Sequence, residues 1–323
     1  MADNMVDNME DTASASLFEP ASAPATSGEE ALTSRVLPQM TLSDGTAGSA
    51  TGPPAPLPHY LTPEGRAVAR FMVEGNAVVT GGLGALGLES IRALLEHGCT
   101  GVFLIDTDMS REKEKLDPLR REFPDVLLFA VELDVCDAEA VDSAIRDAVD
   151  TFDSLDMLVC FAGVVGCTHA LNMTPEKWRR LLDVNTTGSF LVAQAVAKRM
   201  VVQNTGGSIV LTASISAHRV NFPQPQAAYN ASKAAILSLK SSLAAEWAHF
   251  GIRVNSISPG YMDTVLNEGP GLEAARRTWA ERNPMGRMGA PSEITGPIVL
   301  LCSDAGSYIN GADLVVDGGA TVF

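Results

Sequence analysis

Short apolar runs alternate with longer amphipathic stretches from about residue 76 to the end of the chain. The runs are rich in β-branched residues and apolar nearly throughout, which is typical of parallel strands covered on both faces. We predict strands at 77–80, 102–106, 127–133, 157–161, 208–212, 253–256 and 313–316. Helices are predicted between them at 87–97, 111–123, 138–152, 175–202, 227–250 and 291–303. This alternation predicts right-handed crossovers and a single doubly wound Rossmann-type α/β domain with a parallel seven-stranded sheet.

The first part of the chain, residues 1–62, has a different composition. It is rich in Ala, Ser, Thr, Pro and Gly and shows neither helical nor strand periodicity. Such a segment buries too little apolar surface to offset the entropy lost on ordering. We therefore expect a disordered acidic tail over 1–62 and a folded domain over 63–323.

Charge and composition exclude several classes of partner. The chain carries a net charge of −16 and has no cluster of Lys and Arg, so we expect it to bind neither nucleic acid nor membranes. No apolar run approaches the ~18 residues that span a bilayer. The N-terminal segment resembles neither a secretory signal nor a transit peptide, so cytoplasm is the expected location. The 5 cysteines form no CxxC or Cys/His cluster, so no metal site is predicted.

A glycine-rich turn, Thr80-Gly81-Gly82-Leu83-Gly84-Ala85-Leu86-Gly87, joins the first predicted strand to the first predicted helix. Glycines at such a turn let the backbone approach a pyrophosphate, which then faces the helix N-terminus. Taken alone, the turn could equally be a tight strand-to-helix connection. Its place between a strand and a helix favours dinucleotide binding.

Two acidic residues end the next two predicted strands. Asp106 is placed to accept hydrogen bonds from the adenosine ribose hydroxyls, and its charge would repel the additional phosphate of NADP(H). No Lys or Arg lies within the glycine turn, although Arg111 could reach it. We therefore favour NAD(H) as the cofactor, with NADP(H) as the alternative. Asp134, which precedes Val135, either binds the adenine amino group or caps the following helix.

Tyr229 and Lys233 are spaced so that a helix would place both side chains on one face. A phenol titrates near ~10, and a neighbouring ammonium should lower that pKa. Ser214, just after a predicted strand, could polarise a substrate carbonyl. Asn185 falls in mid-helix, where it either bends the helix or holds a water for proton relay. The set predicts an oxidoreductase that uses Tyr229 as its acid/base.

These motifs resemble, in this order, those of the short-chain dehydrogenase/reductase family over residues 75–323. The resemblance extends to Pro259-Gly260-Tyr261-Met262-Asp263-Thr264 and to the closing segment 311–319. The strings at 223–233 and 257–261 resemble a fungal subgroup of sorbose-, xylulose- and mannitol/arabinitol-type polyol dehydrogenases. The resemblance therefore implies interconversion of a secondary alcohol and a ketone, within the polyol and ketose class.

The resemblance also implies residue roles. The catalytic residues would be Asn185, Ser214, Tyr229 and Lys233. Three of these, Asn185, Tyr229 and Lys233, would also contact the cofactor. The other cofactor contacts would be Gly81, Leu86, Gly87, Asp106, Asp134, Val135, Ala162, Gly163, Pro259, Gly260, Met262 and Thr264. Thr264 matches the residue that contacts the nicotinamide carboxamide. Family members commonly assemble through the helices that carry Asn185 and Tyr229, which implies a homotetramer or a homodimer.

The chain departs from the family pattern at two cofactor motifs. The middle glycine of the turn is Ala85, with Gly84 one place earlier, and the stretch that usually reads Asn-Asn-Ala-Gly is Cys160-Phe161-Ala162-Gly163. A small residue at 85 should leave the loop intact. The loss of both Asn side chains should remove hydrogen bonds that support the neighbouring strands and the nicotinamide riboside end.

The segment between Ser214 and Tyr229 is longer than is common in the family, and the change should reshape the substrate rim around His218, Asn221 and Gln224. We also expect 266–282 to act as a lid and 264–268 to order on cofactor binding. Substrate choice resides in such loops, so two alternatives stay open. One is a reductase of an acyl-thioester or aromatic polyketide ketone, and the other is a non-catalytic nucleotide-binding scaffold.

Overall fold

The computed structural model describes residues 37–46, 49–269 and 271–323. The described residues from Ser43 onward belong to one compact unit, which does not include residues 37–42. Most of the predicted tail lies outside the described residues, so its disorder stays a prediction. The described residues between 37 and 62 contain no helix or strand.

One parallel sheet organises the larger unit. Its strands, in chain order, are β1 Asn76–Thr80, β2 Gly101–Asp106, β3 Leu127–Glu132, β4 Met157–Cys160, β5 Gly207–Thr212, β6 Ile252–Pro259 and β7 Asp313–Val316. They lie in the order β3-β2-β1-β4-β5-β6-β7 in a seven-stranded sheet, and the predicted fold class is confirmed. Because the strand order reverses between β1 and β4, a crevice opens there at the carboxyl edge of the sheet.

Helices cover both faces of this sheet. They are α1 Pro63–Arg70, α2 Ala85–Glu96, α3 Glu112–Glu122, α4 Ala138–Phe152, α5 Pro175–Leu182, α6 Ser189–Gln203, α7 Ala227–Glu246, α8 Glu273–Glu281 and α9 Thr295–Cys302. Val78 packs with α4, α6 and α7 on one face, whereas Ala77 and Val79 pack with α2, α3 and α9 on the other. Alternate residues of one strand therefore serve two cores.

The helix predicted over 175–202 is interrupted. It consists of α5, a π-helical turn at Asp183–Gly188, and α6. The predicted helix over 291–303 begins with a 3₁₀ turn, Pro291–Ile294, ahead of α9. α1 was not predicted; it is short and buries none of its residues. Among the helices of the described residues, none has the length and apolar character of a membrane span.

Candidate active site

The glycine turn forms a cradle of backbone atoms at the crevice. Gly81 has φ +65°, and a Cβ there would lie 2.7 Å from the Ala162 nitrogen. A Cβ at Gly87 would lie 2.5 Å from the Gly81 carbonyl oxygen. Ala85 is exposed, so its methyl group stays out of this packing, and Leu86 is half-buried beside it. The first amides of α2 follow directly, which suits an anion such as a pyrophosphate.

Asp106 is tied to this cradle. One carboxylate oxygen accepts a hydrogen bond from the Leu83 nitrogen at 3.0 Å, and the other accepts one from the Thr107 nitrogen at 2.8 Å. Lys115 donates to the Leu83 carbonyl, which places a cation beside the turn that sequence reasoning missed. Arg111 donates to Glu114 at 2.9 Å instead.

Asp134 does not cap the helix that follows it. Asp137 does so, accepting a hydrogen bond from the Ala140 nitrogen at 3.0 Å. Asp134 instead accepts from the Cys136 nitrogen at 3.0 Å and from Arg180 at 3.3 Å. The hydrogen bond from Cys136 holds the pKa of the Asp134 carboxyl below its usual value. This removes the capping alternative and leaves the adenine role as a prediction.

Val135 is buried and lies against Gly188, where an added Cβ would come within 2.5 Å of its Cγ2 atom. This contact joins the end of the third strand to the π-helical turn. Val135 therefore fixes the segment after β3 against that turn by packing.

Tyr229 and Lys233 share one face of α7. The Lys233 Nζ atom lies 5.9 Å from the centroid of the Tyr229 ring and donates to the Thr212 carbonyl at 2.7 Å. The structure therefore brings the phenol, the ammonium and the carboxyl end of β5 together. Gly163 lies opposite, since a Cβ there would be 3.7 Å from the same Nζ atom.

The electrostatics of this pair differ from the expectation. Burial raises the pKa of Tyr229, and the Ser214 side chain acts in the opposite direction. Burial also lowers the pKa of Lys233 to about 8. The ammonium was expected to lower the phenol pKa, but burial raises that pKa, and the Lys233 hydrogen bond goes to a backbone carbonyl. The protonated phenol is thus the resting form at neutral pH.

Ser214 ends the loop that leaves β5. Its Oγ accepts a hydrogen bond from the Ser216 nitrogen at 3.1 Å and donates to the Ser216 hydroxyl at 3.1 Å. The hydroxyl is buried beside Tyr229, where it can meet a substrate oxygen.

Asn185 lies in the π-helical turn and is fully buried. Its Oδ1 accepts from the Val164 nitrogen at 2.8 Å, and its Nδ2 donates to the Val164 carbonyl at 2.9 Å and to the Ser232 hydroxyl at 2.9 Å. The side chain therefore joins the loop after β4 to α7. The irregular turn accounts for an Asn at this position, and π-bulges occur often at functional sites.

The altered stretch after β4 keeps a compact path. Thr80 accepts a hydrogen bond from the Ala162 nitrogen at 3.2 Å, which supports the strand ends in place of the missing Asn side chains. Burial raises the pKa of the Cys160 thiol to about 12, so that group stays neutral. Phe161 packs on the apolar core. Ala162 and Gly163 leave the crevice open at this point.

The Pro-Gly motif closes the other side of the crevice. Pro259 ends β6, and a Cβ at Gly260 would lie 2.9 Å from the Asp317 Cα. Met262 is buried and bridges to Gly289, and Thr264 leads into a 3₁₀ turn at Val265–Asn267. Ordering of 264–268 by a cofactor stays a prediction.

The expected substrate rim is only partly assembled as predicted. Asn221 and Gln224 both donate to the Tyr261 hydroxyl, at 2.9 and 3.0 Å. His218 instead lies 3.0 Å from both Ser258 and Asp313. The stacking of Tyr261 on Trp279 was not anticipated, because the two residues belong to separate elements. Within the described residues, no group of His, Cys, Asp or Glu could hold a metal ion.

Fold and site together define a dinucleotide-dependent oxidoreductase, with the backbone cradle at one end of the crevice and the Tyr/Lys pair at the other. Residues 84–321 match the profile of a family described as enoyl-(acyl carrier protein) reductase. The chain belongs to the short-chain dehydrogenase/reductase family, as the motifs implied.

Relatives and a solved structure agree with this assignment. The chain is 39% identical to galactitol 2-dehydrogenase (L-tagatose-forming) from Cereibacter sphaeroides, over 78% of this chain and 98% of that one. It is 37% identical to the ribulose-forming D-arabinitol 2-dehydrogenase of Scheffersomyces stipitis, over 78% of this chain and 96% of that one. It is 34% identical to NADP-dependent mannitol dehydrogenase from Alternaria alternata, over 78% of this chain and 94% of that one. A gluconate 5-dehydrogenase from Burkholderia cenocepacia, solved with NADP and tartrate, superposes with a TM-score of 0.72 at 32% identity. The match covers 80% of this chain and 99% of that one.

Proposed function

We propose that the chain interconverts a polyol and the corresponding ketose by hydride transfer to or from NAD(P)(H). The observation that carries the proposal is the Tyr229/Lys233 face of α7, placed at the carboxyl edge of the sheet beside Ser214. The names of the relatives support the substrate class, since they act on galactitol, arabinitol and mannitol.

The dinucleotide fits the cradle described above, because Gly81 and Gly87 allow a tight backbone turn that a Cβ would disrupt, and the first amides of α2 follow that turn. Asp106 would hold the adenosine ribose, Asp134 would meet the adenine, and Thr264 would meet the carboxamide. When bound, the nicotinamide supplies or accepts the hydride.

The chain's own residues then handle the proton and the developing charge. Tyr229, protonated at neutral pH, donates its proton to the substrate oxygen during reduction. The Ser214 hydroxyl donates a hydrogen bond to the same oxygen as negative charge grows on it. Lys233 holds the ribose hydroxyls near the phenol, and Asn185 fixes the loop after β4 against α7.

Tyr229→Phe tests the assignment. We expect reduction of L-tagatose and ribulose, followed at the absorbance of the reduced nicotinamide, to fall by about 10²- to 10⁴-fold, the range typical of a lost general acid. Tyr308→Phe, at a fully exposed tyrosine, is the matched control and should retain wild-type rates. Equal rates in Tyr229→Phe and wild type would end the assignment. An acyl-thioester ketone belongs in the same substrate panel, given the description of the matched family profile.

We further propose that NAD(H) binds more tightly than NADP(H). Support comes from the Asp106 carboxylate at the ribose position, whereas Lys115 and the NADP-dependent mannitol dehydrogenase argue for the other cofactor. Calorimetric titration with NADH and NADPH measures the preference directly. Asp106→Ser should strengthen NADPH binding by about tenfold, since removal of one charge repulsion at ~6 Å and intermediate dielectric is worth on the order of 1–2 kcal/mol. Tighter NADPH binding by the wild type would overturn this preference.

We also propose that the chain is cytoplasmic and assembles as a homotetramer or a homodimer. Support comes from the family resemblance and from the exposed Trp178 on α5. Light scattering on the purified full chain measures the mass, and a monomer at micromolar concentration would contradict the assembly.

A further inference from the structure

A second phenol, Tyr261, is held by hydrogen bonds that the proposed reaction does not use. Its Oη accepts from Asn221 Nδ2 at 2.9 Å and from Gln224 Nε2 at 3.0 Å. Gln224 Oε1 accepts from the Trp279 indole at 3.1 Å. The Tyr261 ring also stacks on Trp279, with centroids 4.3 Å apart and an interplanar angle of 5°.

The direction of these bonds determines what the Tyr261 hydroxyl can do next. An indole nitrogen can only donate, so Gln224 must turn its oxygen to Trp279 and its nitrogen to Tyr261. A hydroxyl has one hydrogen and two lone pairs. With both lone pairs engaged by amide N–H groups, the remaining Tyr261 hydrogen is available to a third partner.

An acceptor close to this donor also lacks a partner. Asn221 Oδ1 is buried and makes no hydrogen bond within the described residues. Leaving such an atom unpaired costs about 1–3 kcal/mol, which a ligand hydroxyl would recover. Asn221 and Tyr261 line the same cavity of about 160 Å³, together with Trp279, Phe222 and Arg282.

The cavity adjoins the reaction centre. Ile215, the residue after Ser214 in the chain, also lines this cavity. Arg219, Val220, Asn221 and Phe222 also line it, and they belong to the loop that connects Ser214 to Tyr229. A substrate whose carbonyl meets Tyr229 would therefore extend toward Tyr261.

Resting on the proposed function, we propose that Tyr261 and Asn221 form a hydroxyl-binding subsite. The Tyr261 O–H donates to a substrate hydroxyl oxygen, and Asn221 Oδ1 accepts the hydrogen of that hydroxyl or of its neighbour. Gln224 and Trp279 are positioning residues. A donor and an acceptor side by side match a polyhydroxylated chain, whereas an aromatic or simple cyclic ketone leaves both unpaired.

Tyr261→Phe tests the subsite, because it keeps the ring on Trp279 and removes only the hydroxyl. We measure kcat and KM for reduction of L-tagatose, ribulose and cyclohexanone, a ketone without hydroxyls. We expect kcat/KM for the ketoses to fall about 10- to 100-fold, mostly through KM, while the value for cyclohexanone changes less than about threefold. Asn221→Leu, of similar size, should show the same selectivity, and Tyr308→Phe should show none.

The outcomes separate this inference from the proposed function. Wild-type turnover of ketoses with equal losses on all three substrates, or with no loss, would overturn the subsite and leave the function standing. Turnover of cyclohexanone alone by the wild type would overturn both. If no substrate is turned over, calorimetric binding of galactitol in the presence of NAD(H) decides. Binding that is lost in both variants supports the subsite and refutes the function, and absence of binding refutes both.

Discussion

The two ends of the crevice are built in different ways. At the dinucleotide end, the binding surface is backbone, and its shape depends on glycines such as Gly81 and Gly87, where a Cβ would strike another backbone atom. At the substrate end, the surface consists of side chains, with Tyr261 held by Asn221 and Gln224. A backbone surface recognises a group common to many enzymes, whereas a side-chain surface can change its ligand through few substitutions.

The largest effect should follow from placing a side chain in the backbone surface. Gly81→Ala would force a left-handed residue at φ +65° to carry a Cβ 2.7 Å from the Ala162 nitrogen. The left-handed conformation alone costs about 1–2 kcal/mol, and the clash adds to it. We expect NADH to bind about 100-fold more weakly by calorimetry.

Gly296→Ala is the matched control, because the space around Gly296 is open. It should leave NADH affinity at the wild-type value and raise the thermal midpoint slightly, since Ala favours the helix. Unchanged NADH affinity in Gly81→Ala would show that the cradle does not hold the pyrophosphate.

The second effect concerns pH. Burial lowers the pKa of Lys233 to about 8, so the ammonium is present below that pH and lost above it. We expect kcat/KM for ketose reduction to be level from about pH 6 to 7, to reach half its maximum near pH 8, and then to fall about tenfold per unit. Arg stays protonated over this range. The residual activity of Lys233→Arg should therefore stay constant up to about pH 10. An unchanged falling limb in Lys233→Arg would assign that limb to a group other than Lys233.

The smallest effect is expected at the adenine side. Arg180 lies 3.3 Å from Asp134 in a half-exposed pair, and such pairs contribute at most about 1 kcal/mol. The Cys136 nitrogen keeps Asp134 in place without it. Arg180→Ala should therefore lower the free energy of unfolding by less than about 1 kcal/mol and change NADH affinity less than about threefold. Arg146→Ala, in the surface pair with Asp142, is the control. A tenfold loss of affinity confined to Arg180→Ala would place Arg180 itself against the cofactor.

Sequence patterns predicted most of the fold because most of the parallel strands are short, largely apolar runs between amphipathic stretches. Each of the seven predicted strands is present, and the largest difference is that β6 continues to Pro259. The short helix α1 was not predicted, and none of its residues is buried in the core. For the π-helical turn, the sequence signal was Asn185, a residue of low helix propensity within a predicted helix.

At the site, the sequence predicted which residues would meet but not their energetics. The Tyr229/Lys233 spacing predicted a shared face, yet it could not show that burial raises the phenol pKa. Nor could it reveal Lys115 beside the glycine turn, since a contact with Leu83 requires the folded path of α3. Tyr261 and Trp279 belong to different elements, and no local spacing indicates their stacking.

The π-helical turn at Asp183–Gly188 also sets the rotational phase between the two helices that flank it. Each residue of a regular helix advances the side-chain direction by about 100°. A π-helical turn takes up about one residue more than an α-helical turn for a similar rotation, so Val192, Val196 and Met200 of α6 still face the sheet. The chain can therefore carry one additional residue at this point without reorienting the helix that follows.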